Sequence, residues 1–223
     1  MTVECPVLAA GVGVRHGWSW VLRAASFRMA GSVTGGSAIG IVTMRQAAGS
    51  AVVDLLAGHA RPAHGELRVL GEDLTTAVGR AAVRQQVGVA RRSGWSQPGL
   101  RIRGLVEHAA RLAKLPGGDR DVLTAAILDR LALTAWADVP IRSAPAAVRR
   151  RARLAAAAVH EPDLLLLDGM LDDLNPREAA SVADGVRDLA RDTAIVATGR
   201  DSRVLDLACD EVLTLADGVL VGI

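Results

Sequence analysis

The stretch His160-Glu161-Pro162-Asp163-Leu164-Leu165-Leu166-Leu167-Asp168 decides the fold. Four successive leucines offer no polar face, and the run is too short for a helix of ordinary length. It therefore reads as a strand buried on both sides, as in a parallel sheet covered by helices, with Asp168 as its polar stop. Working outward, four further apolar segments share this character: Ile39 to Val42, Val87 to Ala90, Ala194 to Ala197 and Val212 to Leu215. Helical stretches fall around them at Ser50 to Ala57, Leu105 to Leu115, Asp121 to Leu133, Ala147 to Val159 and Pro176 to Arg191. Alternation of strand and helix predicts an α/β fold with a mainly parallel core sheet. The chain then reads as a hairpin, Val212 to Leu215 and Val219 to Val221 around the turn dipeptide Asp217-Gly218.

The first ~35 residues and Gly65 to Asp73 read as short, glycine-punctuated strands of a small antiparallel β-lobe. Between the second and third core strands, residues 93–147 are mostly helical around the break Leu115-Pro116-Gly117-Gly118 and read as a helical subdomain. No internal repeat or long linker interrupts residues 1–223, which predicts a single domain. With 26 basic and 24 acidic residues, the formal charge of +2 disfavours a dedicated nucleic-acid binder. Lys114 is the only lysine, so chemistry that needs a lysine elsewhere is excluded. Cys5 and Cys209 lack the close spacing of a zinc or redox pair and read as inert thiols of a reducing compartment. Glu4 stands where a signal peptide needs basic residues, and no apolar run approaches the ~18 residues of a membrane span, so a cytoplasmic location is expected.

The order of elements resembles the ATP-binding subunits of ABC transporters over nearly the whole chain. Two local pieces carry the resemblance. Leu55-Leu56-Ala57-Gly58-His59-Ala60-Arg61-Pro62-Ala63-His64-Gly65-Glu66-Leu67-Arg68-Val69-Leu70-Gly71 is similar to the family's passage from the phosphate-loop helix into the β-lobe. His160 to Asp168 is similar to the run into the Walker B aspartate. The resemblance implies an ABC-ATPase-like P-loop NTPase fold.

It also assigns positions to the nucleotide chemistry, and this chain departs from the family at nearly all of them. A phosphate loop reads G-x-x-x-x-G-K-[ST], in which backbone N–H groups and the lysine hold the phosphates. The corresponding stretch is Thr43-Met44-Arg45-Gln46-Ala47-Ala48-Gly49-Ser50, with Thr43 and Ala48 at the glycine positions and Gly49 at that of the lysine. Ser50 and a helix N-terminus survive as a weak anion site. The signature sequence that meets the partner's nucleotide falls at Ala144-Pro145-Ala146-Ala147-Val148, without its serine or glycines. Gly169 stands at the catalytic glutamate, Arg92 at the metal-sensing glutamine with Gln97 as a displaced substitute, and Gly199 at the switch histidine. Asp168 keeps its type. It would hold Mg²⁺ if a nucleotide brought the metal, and otherwise it is the polar end of a strand. Asp172-Asp173 is a dimer-facing loop or a solvated turn before a helix starting near Pro176.

Other signals are set aside. Gly11-Val12-Gly13 lacks the third glycine of a dinucleotide fingerprint, and His59 and His64 lack ligand partners at metal spacing. Arg149-Arg150-Arg151 with Arg153 reads as a solvated or partner-facing helix stripe rather than an RNA site. His16 or Trp18 falls near where the family stacks an aromatic on adenine.

Two functions follow. The first is a pseudo-ATPase, a structural or regulatory partner of a multi-span membrane permease that also contacts an active ABC ATPase or a second copy of itself. It would sit on the inner face of the membrane, with neither ATP nor Mg²⁺ as a cofactor and no catalytic residue. The alternative is a divergent ATPase subunit that binds ATP and Mg²⁺ weakly, with Arg45 or a partner's residue replacing the lysine. Leu105, Val106, Ala109, Leu112 and Ala113 form an apolar stripe, and the groove from Arg92 to Leu105 is the expected permease dock.

Overall fold

The computed structural model describes residues 5–16, 19–29, 36–93 and 99–222. Two sheets lie beside each other. The first is fully antiparallel and joins β1 (Val7–His16), β2 (Ser19–Arg28), β4 (His64–Val69) and β5 (Glu72–Asp73) in the order β2-β1-β4-β5. The second contains β3 (Ala38–Thr43), β6 (Val87–Arg91), β7 (Leu164–Asp168), β8 (Ala194–Gly199), β9 (Glu211–Ala216) and β10 (Val219–Gly222). Its order is β10-β9-β3-β8-β7-β6; all neighbours are parallel except the final hairpin, which turns at Asp217-Gly218 with both residues at positive φ. This is the mixed architecture the sequence predicts.

The leucine run shows why no polar alternation was needed. Leu165 and Leu167 pack with Ile195 and Ala197 in one core cluster, whereas Leu164 and Leu166 pack with Ala194 and Val196 in the other. Each strand thus feeds two cores through the two-residue period of its side chains. Fully burying one such leucine contributes roughly 1.5–3 kcal/mol relative to exposure. The first core also receives α5 (Ala146–Ala158) and α6 (Pro176–Leu189); the second receives α1 (Gln46–Leu56) and the inner face of the β-lobe.

Three expectations need adjustment. The helix α1 starts at Gln46, four positions before Ser50, because Ala47 and Ala48 carry the best intrinsic helix propensity, Ala48 standing where a glycine would have weakened the turn. The helix α2 (Ala77–Gln86) was not anticipated; Thr76 caps it by accepting from the Gly79 N–H. Residues 93–147 carry α3 (Ile102–Leu112), α4 (Gly117–Arg130) and single 3-10 turns at Thr134–Trp136 and Ile141–Ser143. On α3 the buried positions are Ile102, Val106 and Ala110, with Leu105 and Ala109 half-buried beside them, but Leu112 is 71% exposed and lies off the expected stripe. The short α7 (Ser202–Leu205) follows β8. Among the described residues, no helix is long and apolar enough to cross a membrane.

Candidate functional site

The carboxyl ends of β3, β6, β7 and β8 bring Thr43, Arg91, Asp168 and Gly199 to one edge of the sheet, where open α/β folds hold their ligands. The junction from β3 to α1 is only Met44-Arg45, since Gln46 to Ser50 are already helical. Arg45 is the N-cap residue but makes no side-chain cap bond, and its carbonyl accepts from the N–H groups of Ala48 (2.9 Å) and Gly49 (3.4 Å). Those amides are therefore engaged by the chain itself. Gly49, at the lysine position, is buried. A Cβ there would lie 3.0 Å from Thr198 Oγ1 and 3.2 Å from Thr43 Oγ1, so Gly49 lets α1 approach β3 and β8 closely. Thr43 is 2% exposed and fills the space that its glycine counterpart would leave open.

Ser50 is not a free anion ligand. Its hydroxyl donates to Asp168 Oδ2 at 2.8 Å. The same carboxylate oxygen accepts from Arg91 Nη1 at 2.8 Å, and Arg91 Nη2 donates to Asp54 Oδ1 at 2.5 Å. Asp168 is 6% exposed, so its charge is balanced from within the chain by a guanidinium rather than left for water. Arg91 and Asp54 were missed in the sequence. Ser50 and Asp54 are four residues apart on one helix and so share a face, which was the available signal. Arg91 pairs with Asp168 across neighbouring strands, a relation only the register of β6 and β7 creates.

Around this centre the remaining positions are cross-linked by arginines. Arg92 donates to Asp173, and its other terminal nitrogen donates to Gln46 Oε1 at 2.6 Å. Arg200 also pairs with Asp173, while its backbone N–H donates to Asp172 Oδ1 at 3.0 Å. Asp172 is only 9% exposed whereas Asp173 stays exposed, so within the pair read as a dimer-facing loop or a solvated turn only Asp173 faces solvent. The following helix does begin as expected, with Pro176 in its first turn and a capping box between Asn175 and Glu178. Gly169 has φ +61°, which disfavours any side chain, including a glutamate, and a Cβ would meet Asp172 Oδ2 at 3.2 Å. At Gly199 a Cβ would meet Leu205 Cδ2 at 3.2 Å.

At the signature position Ala144 and Ala147 are buried, Pro145 is the N-cap residue of α5 and Ala146 begins the helix, so no side-chain donor faces outward there. The arginines that follow are not a solvated stripe. Arg150 donates to the carbonyls of Arg92 and Asp172, and Arg153 to those of Arg91 and Arg92, which ties α5 to the ends of β6 and β7. Desolvation lowers the Arg150 pKa to about 10, with Arg153 and Arg92 adding like-charge repulsion; Arg153 is also lowered, first by burial.

Gln97 and Trp18 lie outside the described residues, and of His16 only the backbone in β1 is described. The described aromatic near the junction is Trp20 of β2, tilted on His64 at 5.3 Å and under the Arg15 guanidinium at 5.1 Å. Trp20, Arg45, Ala48 and Gly218 line a cavity of about 560 Å³. Gly11 and Gly13 lie within β1, away from any helix start. His59 does have a carboxylate nearby, Asp54 at 3.6 Å, and no group of three metal-ligating side chains occurs among the described residues. Burial pushes the Cys209 thiol up to about 12, in keeping with an inert sulfur.

The geometry agrees with known proteins. Residues 34–171 match the family model described as ABC transporter. The Nod factor export ATP-binding protein I of Ralstonia nicotianae is 26% identical over 96% of this chain, which spans 65% of that protein. The methionine import ATP-binding protein MetN 2 of Burkholderia mallei is 26% identical over 83% of this chain, which spans 48% of that relative. In three dimensions the chain is similar to CbiO1 of Clostridium perfringens, described as part of the ABC transporter complex CbiONQ, with a TM-score of 0.84, 17% identity, and coverage of 98% of this chain and 88% of the other. The family match over residues 34–171, on a sheet that carries Asp168 at the end of its leucine strand, places this chain in the ABC transporter family of ATP-binding proteins.

Proposed function

We propose that this chain is a degenerate ABC-type ATP-binding subunit that neither binds Mg²⁺-ATP at cellular concentration nor hydrolyses it. It serves a transporter complex as a structural or regulatory subunit. The observation that carries this reading is the state of Asp168: the carboxylate that would hold a nucleotide's Mg²⁺ through water is already bonded to Ser50 and Arg91. A divalent cation there would have to displace a guanidinium, and like charges at contact distance repel by several kcal/mol in a partly buried site. Phosphoryl transfer rests on positioning and charge stabilisation. Gly49, Gly169 and Gly199 offer no side chain for either, and the two-residue junction Met44-Arg45 offers no loop to surround a phosphate.

The partner we propose is a multi-span membrane permease, with an active homologous ATPase or a second copy completing the assembly at the inner face of the membrane. The names of the relatives, an export and an import ATP-binding protein, support that setting. A largely apolar groove of about 330 Å³ between the sheet and the helical segment, lined by Val89, Leu105, Ala109 and Ala157, is the docking surface.

Isothermal titration with Mg²⁺-ATP and a phosphate-release assay test the first half, and both are expected to be blank; saturable binding in the micromolar range would overturn it. Copurification from native membranes tests the second: Leu105→Asp, in the lining of this groove, is expected to remove a permease that the unaltered chain retains, and a chain that never copurifies with a membrane protein refutes the docking. One observation favours the weak-binding alternative. Arg45 is exposed and shares the 560 Å³ cavity with Trp20, so an aromatic and a cation stand at the mouth of the junction. An Arg45→Ala variant that loses residual ATP binding would select that reading.

A further inference from the structure

The amino ends of the strands carry a cavity of their own, at the edge of the parallel sheet opposite to Asp168. It measures about 900 Å³ and lies between α5, α6, the end of α4 and the segments leading into β3, β8 and β9, to which Gly36, Arg191 and Asp210 belong. Four arginines line it, and three of them are neutralised where they stand: Arg130 and Arg191 pair with Asp188, and Arg187 pairs with Asp184. Arg151, from the second turn of α5, differs. Its Nη1 donates to the Leu131 carbonyl at 3.2 Å, its Nε is buried without a hydrogen-bond partner, and among the described residues no carboxylate pairs with it. Burial lowers its pKa, with no acidic neighbour acting in the other direction. Bracing a carbonyl needs only a neutral donor, so the fold has no use for this charge. A half-buried cation without a counter-charge costs the folded chain, and an anion in the cavity would supply what is missing.

The surroundings narrow the anion. Parallel N–H groups of a guanidinium match the two oxygens of a planar carboxylate. Asp184, Asp188 and Asp210 also line the cavity, so a multiply charged anion meets repulsion that a single charge largely escapes. Leu131 and Ala208 contribute apolar wall, and Ser181 contributes a hydroxyl. The volume falls within the ~300–1,000 Å³ of small-molecule sites.

We infer that this cavity binds a small organic monocarboxylate, its carboxylate on the Arg151 guanidinium and its aliphatic part against Leu131 and Ala208. The site lies at the far edge of the sheet from Thr43, Asp168 and Gly199. It stands independently of whether the β3–α1 junction takes nucleotide.

The test uses the full chain, with sodium butyrate as the probe and chloride added to keep ionic strength constant. Butyramide serves as the neutral isostere, and succinate and phosphate as the multiply charged anions. Calorimetry and thermal unfolding are expected to show saturable butyrate binding in the millimolar range and a rise in Tm that butyramide and chloride do not give. Succinate and phosphate are expected to bind more weakly than butyrate. Arg151→Leu is expected to weaken butyrate binding by about tenfold or more. Because Arg151 also holds the Leu131 carbonyl, a second variant leaves it in place: Ser181→Glu sets a carboxylate on the same wall and is expected to abolish the butyrate response while the chain stays folded. No response to butyrate beyond the chloride control, an equal response to butyramide, succinate or phosphate, or a butyrate response unaltered in either variant, overturns the assignment.

Discussion

Two strand-to-helix junctions at the same edge of the sheet have taken opposite courses. From β3 to α1 the chain crosses in two residues, with an N-cap, Arg45, that makes no side-chain bond. From β7 to α6 it keeps a loop of Gly169 to Asn175, ending in a full capping box. The first junction is short because α1 already begins at Gln46. The second has stayed open, but Arg92 and Arg200 hold its acidic pair, Asp172 and Asp173. In both, groups of the chain itself occupy the positions at which a ligand would act. Under the function proposed above, loss of a ligand site would leave no unpaired polar atoms at these positions, because helix, hydroxyl and guanidinium stand where the ligand's partners would.

The largest expected effect on this comparison comes from Arg91→Ala. It strips Asp168, whose side chain is 9% exposed, of its cation, and breaking such a pair from one side is strongly destabilising. Because Arg91 is itself 33% exposed, the lower part of the usual range applies, and urea denaturation is expected to show a loss of about 2–3 kcal/mol. Arg68→Ala, which breaks the exposed pair with Glu66, is the control and should leave the denaturation midpoint essentially unchanged, because solvent screens an exposed pair. Equal losses would mean that Asp168 has no need of an internal cation.

Next is Gly49→Lys, which restores the family residue at the closed junction. The new side chain meets Thr198 and Thr43, so a loss of about 1–3 kcal/mol is expected in the same assay, without any gain in Mg²⁺-ATP binding. A stable variant that binds nucleotide would show that the junction can reopen. The open junction should be more sensitive at its cap. Asn175→Ala is expected to cost about 1 kcal/mol, whereas Arg45→Ala, which removes no cap bond, should change thermal stability by less than about 0.5 kcal/mol.

The smallest effect concerns His160, just before β7. Burial lowers its pKa below 6.5, against a backbone hydrogen bond with Val87 that acts in the other direction. The unfolded chain then binds the proton first as pH falls, so this contribution to stability is complete above about 6.5 and declines as pH drops toward the lowered folded value. Denaturation midpoints measured from pH 7.5 down to 5.5 should fall less steeply in His160→Gln.

Much of this molecule was legible before its structure. The five apolar runs became adjacent strands because an uninterrupted apolar segment has only one stable place, between two covered faces. The hairpin at Asp217-Gly218 followed from a turn that tolerates positive φ. The extent of α1 was less legible, because the loop motif ends at Ser50 whereas the helix-forming Ala47 and Ala48 before it carry the helix back to Gln46. The site was legible as positions but not as bonds: Thr43, Gly49, Ser50, Asp168, Gly169 and Gly199 do gather at one edge, whereas Arg91, Asp54 and Arg200 entered only with the structure, and Arg150 and Arg153 took their bracing role only there.

The sequence alone determined the sheet, its alternation with helices and which residue types stand at each nucleotide position, because periodicity and composition are local properties of a chain. Only the tertiary structure decided what those residues do instead. Arg91 and Asp168 are 77 positions apart, Ser50 and Asp168 are 118 apart, and Arg150 and Arg92 are 58 apart. Which cation neutralises which carboxylate depends on strand register and helix approach, and those are set by burial across the whole core rather than by any neighbouring residue.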